Sequence, residues 1–215
     1  MHFGFQSVVI LFIYGFCCIS ANSLGRHMVV PDTGNFVLVK EEHGIALYER
    51  WYNVKPDQQA REIKATFRVK AEADDAAGLI KDESRGKQWN KKTAEYKVVP
   101  ENENIWLAYI LYDLPWPVSN QDCVLRYSRD FAGDSVVIKF KETDHPDFPV
   151  NKRVQRIPAI SGKWVFNEDV SGISVEYYIT TTPSSTLPSW ITDPVIRSNL
   201  IETLQAFRSL LEDDE

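Results

Sequence analysis

Residues 111–125 read LYDLPWPVSNQDCVL. On the N-terminal side, IWLAYILY at 105–112 has the aromatic and branched residues of a half-buried strand. CVLRYS at 123–128 resumes that pattern. Proline cannot donate to a sheet ladder and pushes the preceding residue away from helix, so Leu114-Pro115-Trp116-Pro117 ends the first strand. A buried loop would strand its backbone polar groups, which places this one at the surface. Trp116 there either covers something apolar or packs under a neighbouring helix; the residues leave both open.

Strand patterns extend in both directions. Residues 36–41 and 45–53 are β-rich and parted by His43-Gly44, a hairpin signal. In 60–71, Ile63, Ala65, Phe67, Val69 and Ala71 share one face, and Glu62, Lys64, Thr66, Arg68 and Lys70 the other. Further strands are expected at 92–99, 105–113, 123–131 and 135–141, in a long run ending at 163–167, and at 173–181. Two helical stretches break the alternation. DDAAGLIKDESRGKQW, 74–89, opens on Asp74 and Asp75, which suit a helix start, and predicts a short helix, a break at Gly86 and a second turn ending at Trp89. At the C-terminus Ile196, Leu200, Leu204, Phe207 and Leu211 recur at helical spacing, predicting a helix over about 187–211, with Pro188 in its first turn and Pro194 as a kink or restart. Many strands followed by one long amphipathic helix is an α+β pattern. Its single apolar stripe must lie on the concave face of the sheet.

The chain of 215 residues suits one ordinary domain, and its net charge of −6, with no basic run interleaved with aromatics, argues against a nucleic-acid partner. Lys152, Arg153 and Arg156 read as the solvated face of a strand. The apolar run VVILFIYGFCCI, 8–19, is too short to span a bilayer but fits the core of a signal peptide, with small residues at Ser20, Ala21 and Ser23. The expected organisation is a signal peptide over 1–21, a flexible leader over 22–33 and a single domain over 34–215. The mature protein would then be exported to a periplasmic, extracellular or lumenal space. Cleavage would remove Cys17 and Cys18, leaving Cys123 as a buried small hydrophobe without a disulfide partner. His27, His43 and His145 lack metal-ligand spacing, and no nucleophile or phosphate-loop motif is present, so neither a metal nor a cofactor is expected.

Four stretches in order carry a resemblance: GLIKDESRGKQWN (78–90), LPWPVSNQDCV (114–124), SGKWVF (161–166) and VEYYITTTPSSTLPSW (175–190). Together they resemble the START (StAR-related lipid-transfer) domain of the Bet v 1-like helix-grip class, over about 35–212. Gln121 stands where arginine is common before Asp122, and Ser185 where glycine is common before the proline. The resemblance implies a curved antiparallel sheet wrapped around a long C-terminal helix, with a hydrophobic cavity between them. It also implies that the 114–120 loop and the start of that helix gate the cavity. Gate candidates are then Leu114, Trp116, Val118, Trp190 and Val195, with transient membrane contact at that edge.

Strand parity puts Trp106, Ala108, Ile110 and Tyr112 on one face, with Leu125 and Tyr127 on the matching face of the next strand. Trp89, Tyr96, Ile138, Trp164, Phe166, Tyr177, Ile196 and Leu200 are their expected companions around a lipid or other hydrophobic small molecule. Tyrosine hydroxyls would be the few orienting polar groups. Some sterol-handling members carry a buried acid and base near the positions of Ala108 and Tyr127, which weighs against a sterol here. The leading expectation is therefore a carrier or sensor of a hydrophobic molecule, not an enzyme. A cyclase- or aromatase-like enzyme on the same fold, and a protein-binding scaffold with a filled core, are the alternatives. The residues assign no oligomeric state.

Overall fold

The alternating runs pair into one sheet. The computed structural model describes residues 34–56, 58–114, 119–182 and 189–213, with backbone alone for 189–192. The expected signal peptide and leader, and Pro115, Trp116, Pro117, Val118 and Pro188, lie outside the described residues. In chain order the elements are β1 (Val37–Glu42), β2 (Ile45–Lys55), β3 (Gln58–Val69), α1 (Ala73–Lys81), α2 (Glu83–Trp89), β4 (Thr93–Pro100) and β5 (Ile105–Tyr112). Then follow β6 (Gln121–Ala132), β7 (Ser135–Glu142), β8 (Gln155–Arg156), β9 (Ser161–Asp169), β10 (Gly172–Thr181) and α3 (Ser189–Glu212). The strands run β1-β2-β3-β10-β9-β7-β6-β5-β4, with β8 beside β6. Every described pair is antiparallel except β6–β8. The expected α+β helix-grip architecture is the one observed.

His43 and Gly44 both have positive φ, 53° and 70°, as a tight two-residue hairpin turn needs. Irregular register in β1–β2, β2–β3 and β4–β5 adds local bends of the kind that curve a sheet. The concave face is the apolar one. Ile45, Leu47, Ala65, Phe67, Trp106, Ile110, Ile138, Phe166, Ile173 and Val175 are buried in one core with Ile201, Leu204, Phe207 and Leu211 of α3.

Three expectations are corrected. The helical stretch breaks at Asp82, not Gly86. The Asp82 carboxylate accepts from the Ser84 and Arg85 backbone N–H groups and so caps α2. Gly86 lies inside α2 and is buried. A β-carbon there would sit 2.1 Å from Cδ1 of Tyr96, so the glycine admits the ring of a β4 residue. The long run before 167 is two pieces, β8 and β9, parted by residues 157–160. Arg156 is not a solvated cation: it makes a bidentate pair with the buried Asp122, at 2.7 and 3.0 Å, and also donates to the Phe148 carbonyl. That pair fastens the 143–160 segment over the outer face of β6.

Candidate functional site

The interior has a closed end and an open end. At the closed end aromatic rings pack against one another. Trp89, at the end of α2, meets Tyr96, Trp164 and Phe207 edge-on, with centroids 5.9, 6.2 and 5.3 Å away. Trp106 stacks on Tyr127 at 5.2 Å, as their direct cross-strand pairing allows. Trp164 lies 4.9 Å from Phe207 and, on the side toward the open end, 4.4 Å from the partly buried Tyr177. Gly162 makes room for this packing: a β-carbon there would meet the Phe140 ring at 2.4 Å and the Tyr178 carbonyl at 2.0 Å. The Tyr96 hydroxyl donates to the Ile80 carbonyl at 2.8 Å. Burial pushes the phenols of Tyr96, Tyr112, Tyr127 and Tyr177 up, so each keeps its proton near neutral pH.

Of the fourteen residues expected around a ligand, Trp89, Tyr96, Trp106, Ala108, Ile110, Leu125, Tyr127, Ile138, Trp164 and Phe166 are buried in this packing. Tyr112, Tyr177 and Leu200 are only partly buried. Ile196 is 43% exposed, a correction: at that turn Asp193 and Arg197 pair with Arg61 of β3 and Glu49 of β2, and these ion pairs set which side of α3 is held against the sheet. At 100° per residue, Asp193 and Arg197 continue the line of Leu200, Leu204, Phe207 and Leu211. Among the described residues, the charged Asp193 and Arg197 reach the sheet at this end of α3.

The open end holds two of the gate candidates, Leu114 and Val195. A cleft of about 200 Å³ lies between α3 and the start of β4, lined by Lys92, Leu114, Val195, Ser198, Asn199 and Glu202. Leu114 and Val195 are thus brought together. Trp116 and Val118 lie outside the described residues, and so does the side chain of Trp190, whose backbone belongs to α3. The Leu114 N–H donates to the Asn120 side chain, and the Asp113 N–H to the Lys92 carbonyl, fixing the base of the loop. The Lys91 N–H donates to Thr203 Oγ1 at 3.0 Å, tying the other wall to α3. Beside this end Tyr177, Ile179 and Thr181 of β10 are half-buried on the concave face, whereas Ile173 and Val175, further along the same face, are buried. At the opposite end of the sheet a depression of about 620 Å³ is walled by Lys70, Glu72, Glu168 and Asp169. Its charged walls set it apart from the apolar interior.

The sequence reading missed four charged residues on the concave side. Arg61 of β3 shares the face of Ile63, Ala65 and Phe67 and is 4% exposed. It donates to Glu49 at 2.5 Å and to Asp193 at 3.0 Å. Arg197 donates twice to Glu49, at 2.8 and 2.9 Å. Burial pushes the Glu49 carboxyl up, but the hydrogen bonds and charges of Arg197 and Arg61 outweigh it and hold it below the usual carboxylate range. Three of the four could have been read in advance, since Arg61 falls on the apolar parity of β3 and Asp193 and Arg197 on the α3 stripe. Cys123 is fully buried, and burial pushes its thiol up to about 12.

Solved structures share this fold. The STAR-related lipid transfer protein (fragment 25–204) from Xanthomonas axonopodis is 30% identical, with a TM-score of 0.71 over 82% of this chain and 98% of that one. The uncharacterized protein PA1579 of Pseudomonas aeruginosa is 26% identical over 177 residues, 81% of this chain and 86% of its own length. The Zhui aromatase/cyclase from Streptomyces sp. R1128 shares the fold alone, at 15% identity and a TM-score of 0.51 over 71% of this chain and 94% of that one. Residues 46–214 match the START domain itself, and with that match across most of its length the chain belongs to the START domain family.

Proposed function

We propose that this START domain encloses a hydrophobic small molecule, a lipid, between α3 and the concave face, and carries or senses it. The observation that bears most weight is the change in burial along the interior. Its far half is packed shut by rings, whereas Tyr112, Tyr177, Ile179 and Leu200 keep apolar surface partly uncovered beside the cleft under Leu114 and Val195. A ligand seated there would cover that surface, at about 25 cal/mol for each Å² removed from water. The name of the Xanthomonas relative, a lipid transfer protein, supports the same ligand class.

The role is that of a binding protein and not a catalyst. The buried Cys123 thiol keeps its proton at neutral pH, and the Glu49 carboxyl is shifted away from neutrality. Loading would pass through the cleft, with transient membrane contact at that edge, and lids of this kind move in microseconds to milliseconds. The protein would work outside the cytoplasm, after removal of its first residues.

Native mass spectrometry of the purified protein, with extraction of whatever it carries, tests the ligand. A bound apolar mass, or one-to-one uptake of a fluorescent lipid from vesicles, is the expected result. Protein that purifies empty and takes up no lipid would refute it. N-terminal sequencing of the mature chain should begin between Ala21 and Leu24, and a cytosolic product that keeps Met1 would end the export proposal.

A further inference from the structure

Arg61 occupies the open end of the interior. Its cross-strand neighbours are Thr181 on β10 and Trp51 on β2. Ile63 and its partner Ile179 lie one inward position further along, about 7 Å deeper. The guanidinium is also 5.7 Å from the Trp51 ring. The residue is almost wholly buried, yet its Nε–H finds no hydrogen-bond partner among the described residues. An unsatisfied buried donor of this kind is uncommon and calls for an acceptor.

The two acids on Arg61 are held unequally. Glu49 receives three hydrogen bonds from Arg61 and Arg197, all of 2.9 Å or less. Asp193 receives one from Arg61, at 3.0 Å, and lies 3.6 Å from Arg197, with its side chain 19% exposed. Asp193 is the exchangeable member.

We propose that Arg61 is the head-group site of the interior: it binds the carboxylate or phosphate oxygens of an acid-headed amphiphile, and Asp193 holds that place until the ligand arrives. This rests on the lipid-binding role proposed above and names the class of lipid. Charge is conserved in the exchange. Two arginines face Glu49 and Asp193 before it, and Glu49 and the ligand's anion after it, with Asp193 released toward solvent. The tail would then run over Ile179 and Tyr177, the half-buried residues next on β10. Glu142 of β7 is in the same transverse row, since Thr180 pairs with Ser161 and Ser161 with Lys141. Its strand is three away from β3, about 14 Å along the sheet, too far for a hydrogen bond or ion pair with Arg61. It does not compete for Arg61.

The test measures binding of four probes to the delipidated full chain at pH 8: palmitate, hexadecyl phosphate, hexadecanol, and free acetate or inorganic phosphate as a head without a tail. Palmitate and hexadecyl phosphate should bind at least about tenfold more tightly than hexadecanol, the scale of one charge-assisted hydrogen-bond pair. Acetate and phosphate should not displace them. Arg61→Gln should reduce both acids to the affinity of hexadecanol. Asp193→Asn, which keeps Arg61 and removes its competitor, should tighten both acids several-fold and leave hexadecanol unchanged. Glu142→Gln should leave the acid preference as it is. Should Arg61→Gln fail to fold, Asp193→Asn carries the test. Equal binding of palmitate and hexadecanol, a preference that survives Arg61→Gln, or no effect of Asp193→Asn would overturn the head-group site while leaving lipid binding intact. Displacement by free acetate or phosphate would make this a soluble-anion site instead. Failure of every tailed probe to bind would remove the lipid-binding role, and this site with it.

Discussion

Gly86→Ala gives a sign test of the packing. Judged by helix propensity alone the change stabilises α2 by about 1 kcal/mol, because alanine is the better helix former. The interior predicts the reverse. The new β-carbon would fall 2.1, 2.3 and 2.6 Å from three atoms of the Tyr96 ring. That ring is only 4% exposed, and its far end is fixed by the hydrogen bond to the Ile80 carbonyl. Trp89 lies edge-on beside it at 5.9 Å, leaving little room to retreat. Overpacking of this kind costs about 1–3 kcal/mol, and loss of the buried hydroxyl bond adds about 1 kcal/mol. With the propensity gain subtracted, the net loss is about 2 kcal/mol, or about 4–8 °C in Tm for a domain of this size. Urea unfolding of the two proteins measures it directly. Tyr96→Leu removes the struck ring, so the double variant should lose less than the sum of the two singles, with a coupling of about 1 kcal/mol or more. A Gly86→Ala protein as stable as the parent would refute the reasoning.

Three further outcomes are expected. Glu49→Gln leaves Arg61 and Arg197 to share Asp193 as their one remaining carboxylate among the described residues and should cost about 3 kcal/mol in urea unfolding at pH 7. Because the folded carboxyl is held below its ordinary 4.5, the stability it supplies is complete above that pH and is lost as pH falls through the folded value, so the gap between parent and variant should narrow in acid; a gap constant with pH would show another cause. Phe207→Ala empties a fully buried site between Trp89 and Trp164 and should cost about 3–5 kcal/mol with loss of near-ultraviolet dichroism, and a loss under 1 kcal/mol would mean that the rings do not form one packed cluster. The Cys123 thiol, fully buried and pushed up to about 12, should react with a thiol reagent far more slowly in the folded protein than in urea, and equal rates folded and unfolded would contradict its burial.

Much of the sheet was legible because strand alternation is local. A side chain's face follows from its parity, and parity placed Trp106, Tyr127, Ile138 and Trp164 inward before any pairing was known. The His43-Gly44 turn and the stripe of Leu204, Phe207 and Leu211 are short-range signals of the same sort. Arg126, between the inward Leu125 and Tyr127 and so of outward parity, is exposed and paired with Glu101. Four in-order motifs sufficed for the family because their order and spacing, not any one residue, carry the fold.

The tertiary structure decided what distant segments do to each other. Gly86 reads as a helix breaker until β4 brings the Tyr96 ring against it. Arg156 reads as a surface cation until β8 lies beside Asp122. Glu49, Arg61, Asp193 and Arg197 come from β2, β3 and α3, and up to 148 positions separate hydrogen-bonded partners. Placing the α3 residues over β2 and β3 depends on β10 pairing with β3, a connection across most of the chain. The sequence by itself determined the strands, their inward faces and the grip of a long helix, since these follow from the short periods of backbone geometry. Whether the enclosed space is filled or open, and which charges border it, was left to packing, because volume and ion pairing depend on side chains that meet only when the sheet has closed around α3.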